Sequence, residues 1–277
     1  NRDVISWSAV ISGYAQDGQG LSALGLFARM QKEGIKPDNI SILSALKCCA
    51  NVGAIIEGRL IHKELIRNGL VNDLIIGNTL VDMYAKCGCL EDSWRALQSL
   101  ENHDIVTWNA MISGYAQQGR CILANECFIN MRRHGFEPDD KTYTSILAGC
   151  SHAGLLEQGH DYFNVMIKQL GMVNGVEVYG CMVDLLGRSG CLDEAVDLLH
   201  TIPTPPDVVL WKSLFTSCRT YNNKELGKWV FDQILDLGLN DGFGYVLMSN
   251  IYADDNYAYM WEVVDKVGAK ENMGSMV

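Results

Sequence analysis

Two stretches of this chain are near-copies of one another, and a chain that repeats a supersecondary unit folds as a stack rather than around one central core. Residues 3–38 read DVISWSAVISGYAQDGQGLSALGLFARMQKEGIKPD, and residues 104–139 read DIVTWNAMISGYAQQGRCILANECFINMRRHGFEPD. At an offset of 101 they agree at sixteen of 36 positions. The matches include Trp7/Trp108, Ser12-Gly13-Tyr14-Ala15-Gln16 against Ser113-Gly114-Tyr115-Ala116-Gln117, Phe27/Phe128, Met30/Met131 and Pro37-Asp38 against Pro138-Asp139. In a stack of this kind, function is expected along a surface rather than in a single pocket.

The offset is built from smaller units. Helical patterns end in Gly, then Pro-Asp or Asn-Asp, and a new apolar pattern follows, which cuts the chain at 4–38, 39–73, 74–104, 105–139, 140–175, 176–207 and 208–241. The lengths are 35, 35, 31, 35, 36, 32 and 34, so the first three sum to 101 and a triplet is itself repeated. LVDMYAKCGCLEDSW (80–94) accordingly matches MVDLLGRSGCLDEAV (182–196) at an offset of 102. Each unit reads as two helices. Trp7, Val10, Ile11 and Tyr14 fall at i, i+3, i+4 and i+7, one face of a first helix, and Gly18 breaks it. Ala23, Phe27 and Met30 mark the inner face of a second helix; Gly34 suits the position after its end, and Pro37 forbids continuation. Gly13 and Ala23 are small enough to let neighbouring helices approach closely.

Composition sets limits. The 277 residues are 48% apolar, enough for a continuous core, and no run of about 18 apolar residues marks a membrane span. No signal-peptide pattern is present and residue 1 is Asn, so the chain is expected to be a fragment or processed form, with Asn1-Arg2-Asp3 as the tail of a preceding unit. Cys49, Cys150 and Cys218 share the eleventh position of their units, and Cys89 and Cys191 the sixteenth. Contacting helix axes lie about 8–10 Å apart and a disulfide needs Cα atoms within about 7 Å, so the ten cysteines are read as reduced, small apolar residues. The net charge of −11 argues against generic nucleic-acid binding, which needs a basic surface; residues 208–277 contribute six Lys/Arg and nine Asp/Glu to it.

Catalytic and metal motifs fail one by one. His62-Lys63-Glu64 matches the HxE half of a zinc-deaminase signature, but no PCxxC, nor any CxxC, accompanies it, and the triplet reads as a solvated helix face. Cys87-Gly88-Cys89 lies at a helix–helix turn with no partner pair at zinc-ligand spacing. P-loop, GxGxxG, GxSxG and HExxH motifs are absent. The chain is expected to be no enzyme, with no catalytic residue, no metal and no cofactor.

SWSAVISGYAQDG, LVDMYAKCG, TWNAMISGYAQQG, SILAGCSHAGLLEQG and CMVDLLGRSGCLDEA together resemble land-plant pentatricopeptide repeat (PPR) proteins, over about 4–267. The 35/35/31 and 35/36/32 alternation resembles their PLS subclass, with long and short variant repeats, which is associated with organelle RNA editing. The resemblance implies an all-α fold, a right-handed α-solenoid (superhelix) of helix–turn–helix repeats. It implies a tail at 1–3, six repeats over 4–207, a PPR-like extension (E) domain over 208–267 and a tail at 268–277. The family's DYW deaminase domain, which can follow that extension, has no counterpart, and GAKENMGSMV departs from the usual Lys/Arg-rich continuation. The implied partners are single-stranded RNA through the repeats and a deaminase-domain or other editing-factor protein through 208–267, with no membrane. The implied location is the mitochondrion or the chloroplast.

In this family the fifth and last residues of a repeat face a base edge, and the second packs on the base plane. On this sequence the base-reading pairs become Ser8/Asp38, Asn78/Asp104 and Asn109/Asp139. Family pairing rules then imply a purine, G, for Ser/Asp and U over C for Asn/Asp, giving a core preference G-N-U-U along RNA running 5′ to 3′ from N to C terminus. Thr144 is a further base-reading residue whose partner would be Gly175; Gly180/Asp207 is an incomplete pair, and Leu43 cannot read a base edge. Ile5, Ile40, Ile75 and Val106 are the expected base-stacking residues, with Lys141 and Glu177 weaker substitutes. Two alternatives stand beside this. Each terminal Asp immediately precedes a helix, where it is a favoured N-cap. A helix-pair stack with an acidic surface also suits a protein–protein scaffold in an organelle ribonucleoprotein complex.

Overall fold

The computed structural model of the chain describes residues 3–169 and 176–237, and these form helices and turns with no strand among them. Helices α1 (Val4–Gln16), α2 (Gly20–Lys32), α3 (Asn39–Val52), α4 (Ile55–Arg67), α5 (Leu74–Lys86), α6 (Leu90–Ser99), α7 (Ile105–Gln117), α8 (Cys121–Arg133) and α9 (Asp140–Ala153) belong to a first compact unit, Asn1–Ala153. Helices α10 (Leu156–Asn164), α11 (Val176–Arg188), α12 (Leu192–Thr201), α13 (Val208–Thr220) and α14 (Lys224–Asp236) belong to a second, Gly154–Val277. A π-helical turn, Val165–Gln169, continues α10. The division between the units falls inside 140–175, a stretch that reads as one repeat in the sequence. Residues 1–2, Gly175, 238–267 of the expected extension and the tail 268–277 lie outside the described residues.

Local sequence explains the helix ends. Asp38, Asp73, Asp104, Asp139 and Asp207 each accept a backbone N–H from the first turn of the helix that follows, at 2.9–3.0 Å. Such a cap is worth about 1 kcal/mol. Between the two helices of a pair the chain turns through a residue in the left-handed region, a glycine in the first six pairs, as at Gly18 with φ +75°, and Asn222 between α13 and α14.

In the first unit α1 packs on α3, α3 on α5, α5 on α7 and α7 on α9, while α2, α4, α6 and α8 pack behind them. In the second unit α11 packs on α13, with α12 and α14 behind. The buried residues recur as the pattern demands: Trp7, Ile11, Phe27 and Met30 in the first pair, Trp108, Ile112, Phe128 and Met131 in the fourth. Each such large side chain contributes about 1.5–3 kcal/mol on burial.

Two expectations about the first helix are corrected. Val10 and Tyr14 are exposed, whereas Met111, at the place of Val10, is fully buried. Gly13 has open space where a side chain would stand, whereas a Cβ on Gly114 would lie 2.5 Å from that of Ala85. The reason is packing: α7 lies between α5 and α9, whereas α1 has α3 alone among the first helices beside it. Ala23 is fully buried, as its size suggested.

Candidate functional site

Helices α1, α5 and α7 carry the fifth-position residues at the start of their second turns, and each meets the cap of the next first helix in the stack. Asn78 Nδ2 donates to Asp104 Oδ1 at 3.1 Å and Oδ2 at 3.0 Å. Asn109 Nδ2 donates to Asp139 Oδ1 at 2.9 Å. Ser8 Oγ donates to Asp38 Oδ1 at 2.6 Å. Residues 26 to 30 apart in sequence therefore form three side-chain pairs at the same register. The pairing follows from chemistry: a carboxylate only accepts, so the amide nitrogen faces it.

Exposure separates the three. Asn109 is half-buried, Asn78 is 8% exposed and Ser8 is 2% exposed, while Asp38, Asp104 and Asp139 are all half-buried. Asn78 lies low beside its partner, with the carboxylate as the more open member. Ser8 is covered, and its hydroxyl also lies 2.9 Å from Val4 O, so the polar group reachable at that point is Asp38. Thr144 is half-buried and donates to Asp140 O of its own helix at 2.7 Å. Leu43 is half-buried at the place where Ser8, Asn78 and Asn109 carry polar groups.

Burial raises the pKa of the Asp104 and Asp139 carboxyls, but hydrogen bonds outweigh it and hold both below the ordinary value of 3.8. The donors are Thr107 and Asn78 for Asp104, and Thr142 and Asn109 for Asp139. Asp38 is lowered in the same way, burial opposing bonds from Ser8 and Ser41. All three are anions at neutral pH, so this edge can accept base N–H groups and does not attract phosphate.

Ile5, Ile40, Ile75 and Val106, the second residues of α1, α3, α5 and α7, are between 55% and 76% exposed. In α3, α5 and α7 the neighbours one residue on are not: Ser41, Ile76 and Thr107 are fully buried. An exposed apolar side chain repeated at one register of successive helices gains nothing from the core and leaves an open apolar surface. Ile75 stands on α5, which carries Asn78, and Val106 on α7, which Asp104 caps. Lys141 and Glu177 are exposed at the same position.

Sequence reasoning passed over two sets of residues. Val209, the second residue of α13 in the second unit, is 67% exposed; its register alone would have found it. Ser41, Thr107 and Thr142, the third residues of their helices, are fully buried hydroxyls against the capping aspartates, at 2.8–2.9 Å.

Elsewhere, His62 is half-buried with Nδ1 2.9 Å from the Tyr84 hydroxyl, and Glu64 accepts from Gln31 Nε2 at 2.6 Å, so this helix face is partly covered rather than fully solvated. All ten cysteines are free thiols, Cys87 and Cys89 included. Cys121 and Cys150 come closer than helix spacing suggested, with their sulfurs 3.8 Å apart in the core. Among the described residues no three His, Cys, Asp or Glu side chains gather as a metal site, and no helix is long and apolar enough to cross a membrane.

The pattern of the PPR repeat family matches residues 2–51 and 103–152, and that of the PPR repeat matches 78–105, 141–169 and 177–203. A mitochondrial pentatricopeptide repeat-containing protein of Arabidopsis thaliana is 38% identical over 265 residues, covering 96% of this chain and 41% of its own. A chloroplastic one from the same plant is 38% identical over 273 residues, covering 98% and 36%. The chain thus spans about two fifths of the relatives it matches. The crystal structure of the pentatricopeptide repeat protein PPR10 in complex with an 18-nt psaJ RNA element superposes with a TM-score of 0.76 at 22% identity, over 91% of this chain and 38% of that one. That likeness shows the fold: helix pairs stacked as a solenoid.

Proposed function

Since the chain belongs to the PPR repeat family, we propose that it is a sequence-specific adaptor for single-stranded RNA, selecting sites for C-to-U editing in an organelle. The observation that carries this reading is the Asn78/Asp104 pair, with Ile75 and Val106 exposed on the two helices it joins. One amide–carboxylate couple offers donors and acceptors to a base edge, and two apolar side chains offer its faces a place to stack. PPR10 was crystallised with RNA on the same fold, which supports the direction of the reading without identifying a target.

Asn78/Asp104 and Asn109/Asp139 select U over C. In the first repeat Asp38 makes the contact, accepting from guanine N1–H and N2–H, while the small, buried Ser8 leaves room for a purine. Leu43 imposes nothing on the base between, and the core preference is G-N-U-U. The unit alternation supports the PLS subclass, and 208–267 serves as the extension domain that docks a partner deaminase. In this reading deamination is assigned to that partner. The matched relatives include mitochondrial and chloroplastic proteins, and either organelle suits this chain.

Mobility-shift titrations at one stated salt concentration test the proposal. Each change of G or U in G-N-U-U weakens binding by about tenfold, and a change at N does not. A protein that only scaffolds other proteins binds all these RNAs alike.

A further inference from the structure

Thr107 closes a capping box with Asp104, and Thr142 makes the same bonds to Asp139, but each hydroxyl also does more than capping requires. Each is the third residue of its helix, fully buried, and its hydroxyl accepts the N–H of the capping aspartate, at 3.3 Å from Asp104 N and 3.1 Å from Asp139 N. Capping alone does not need that hydroxyl. Asp73 and Asp207 cap α5 and α13 equally well with Ile76 and Leu210 in the third position, both buried. A buried hydroxyl is costly unless its hydrogen bonds are made, and an isosteric Val would fill the same space without that requirement.

The difference lies in what else the hydroxyl touches. Thr107 Oγ1 is hydrogen-bonded to Asn78 Oδ1 on the preceding first helix. Thr142 Oγ1 lies 2.6 Å from Asn109 Oδ1. Its single proton is shared between the amide oxygen and the carboxylate Oδ1, 2.9 Å away in both triads. A third-position hydroxyl stands next to each complete fifth/last pair: Ser41 after Ser8/Asp38, Thr107 after Asn78/Asp104, Thr142 after Asn109/Asp139. Where the pair is incomplete the third residue is apolar: Ile76 after Leu43/Asp73, and Leu210 after Gly180/Asp207. Val178 follows the Thr144 unit in the same way.

We infer that Thr107 and Thr142 are positioning residues for base selection: with the aspartate they hold the Asn78 and Asn109 amides in one orientation and so set U against C. This rests on the RNA-reading proposal above. The carboxylate takes one amide N–H and the hydroxyl takes one lone pair of the amide oxygen. What remains for a base is one N–H and one acceptor lone pair at fixed places. Uracil presents an N3–H donor beside carbonyl acceptors; cytosine presents an N3 acceptor beside an N4 amino donor. A held amide complements one arrangement and opposes the other, whereas an amide free to turn over serves both.

The test uses the full chain and short single-stranded RNAs with a G-N-U-U core, or with C replacing the U read by Asn78, in mobility-shift titrations of the native protein, Thr107→Val and Thr107→Ser. The native protein prefers U by about tenfold. Thr107→Val brings that ratio close to one, chiefly by tighter binding of the C-containing RNA, and leaves the ratio at the Asn109 position unchanged. Thr107→Ser, which keeps the hydroxyl, keeps the preference. Thr142→Val, read at the Asn109 position, repeats the measurement should Thr107→Val not fold. A Val variant that retains the native U/C ratio, or loses affinity for both RNAs equally, overturns the inference while leaving the RNA-reading proposal standing. A native protein with no U/C preference overturns both.

Discussion

Asp73 and Asp104 do the same local work in different company. Each ends a unit, each accepts the N–H of the third residue of the next helix, and each stands one helix pair from the other. Around Asp73 the fifth-position partner is Leu43 and the third residue is Ile76, so the carboxylate bonds only the helix it caps. Around Asp104, Asn78 and Thr107 close a three-residue network linking α5 to α7. A cap alone is therefore sufficient to start a first helix in this protein, and the network at Asp104 is an addition to the folding requirement. The exposed Ile40, Ile75 and Val106 make the same point, since the fold buries their neighbours and not them.

The largest expected effect sharpens that last contrast. Ile76→Ala removes a fully buried side chain and costs about 2–5 kcal/mol in denaturant unfolding. Ile75→Ala, one residue earlier and 65% exposed, costs within about 0.5 kcal/mol but weakens RNA binding. A large loss of stability from Ile75→Ala would mean that it belongs to the core. Next in size, Asp73→Ala and Asp104→Ala each lose a cap, about 1 kcal/mol, but Asp104→Ala also strands the buried Asn78 amide and costs about 1–3 kcal/mol more. Equal unfolding losses would make the two aspartates equivalent.

Much of this was legible in the residues. The aspartates before apolar runs, the left-handed Gly18 and the spacing of Trp7, Phe27 and Met30 follow from backbone and side-chain chemistry within one unit. The fates of Val10, Tyr14 and Gly13 were not, because their burial depends on which helices lie beside α1, and a periodic pattern is blind to its place in a stack. The depth of Ser8 and Asn78 escaped for a related reason: it is set by neighbours that their own unit does not contain, the bonded partners lying 30 and 26 positions away. The hydroxyls of Ser41, Thr107 and Thr142 pass for ordinary first-turn residues until their second partner is known.

A transplant turns the comparison round. Leu43→Asn together with Ile76→Thr gives Asp73 the surroundings of Asp104. The second repeat, indifferent in the native protein, should then prefer U by about tenfold in the same titrations. No gain of preference would show that the network is insufficient to specify a base.

The smallest effect is with pH. The carboxyls of Asp38, Asp104 and Asp139 are held below 3.8 by their hydrogen bonds, burial opposing. Their stabilisation is fully present above that value and is lost as pH falls through the lowered folded-state values. From pH 6 to 8 they stay ionised and the U/C ratio stays constant. A ratio that titrates in this range would place some other group at the base.

The most direct measurement is selection from a randomised single-stranded RNA pool by the native chain and by the double variant Asn78→Thr, Asn109→Thr, at one salt concentration. The native chain should enrich G-N-U-U, and the double variant should move the last two positions from U toward purines. The same enrichment from both proteins, or none from either, would contradict the assignment of these side chains to a base-reading edge.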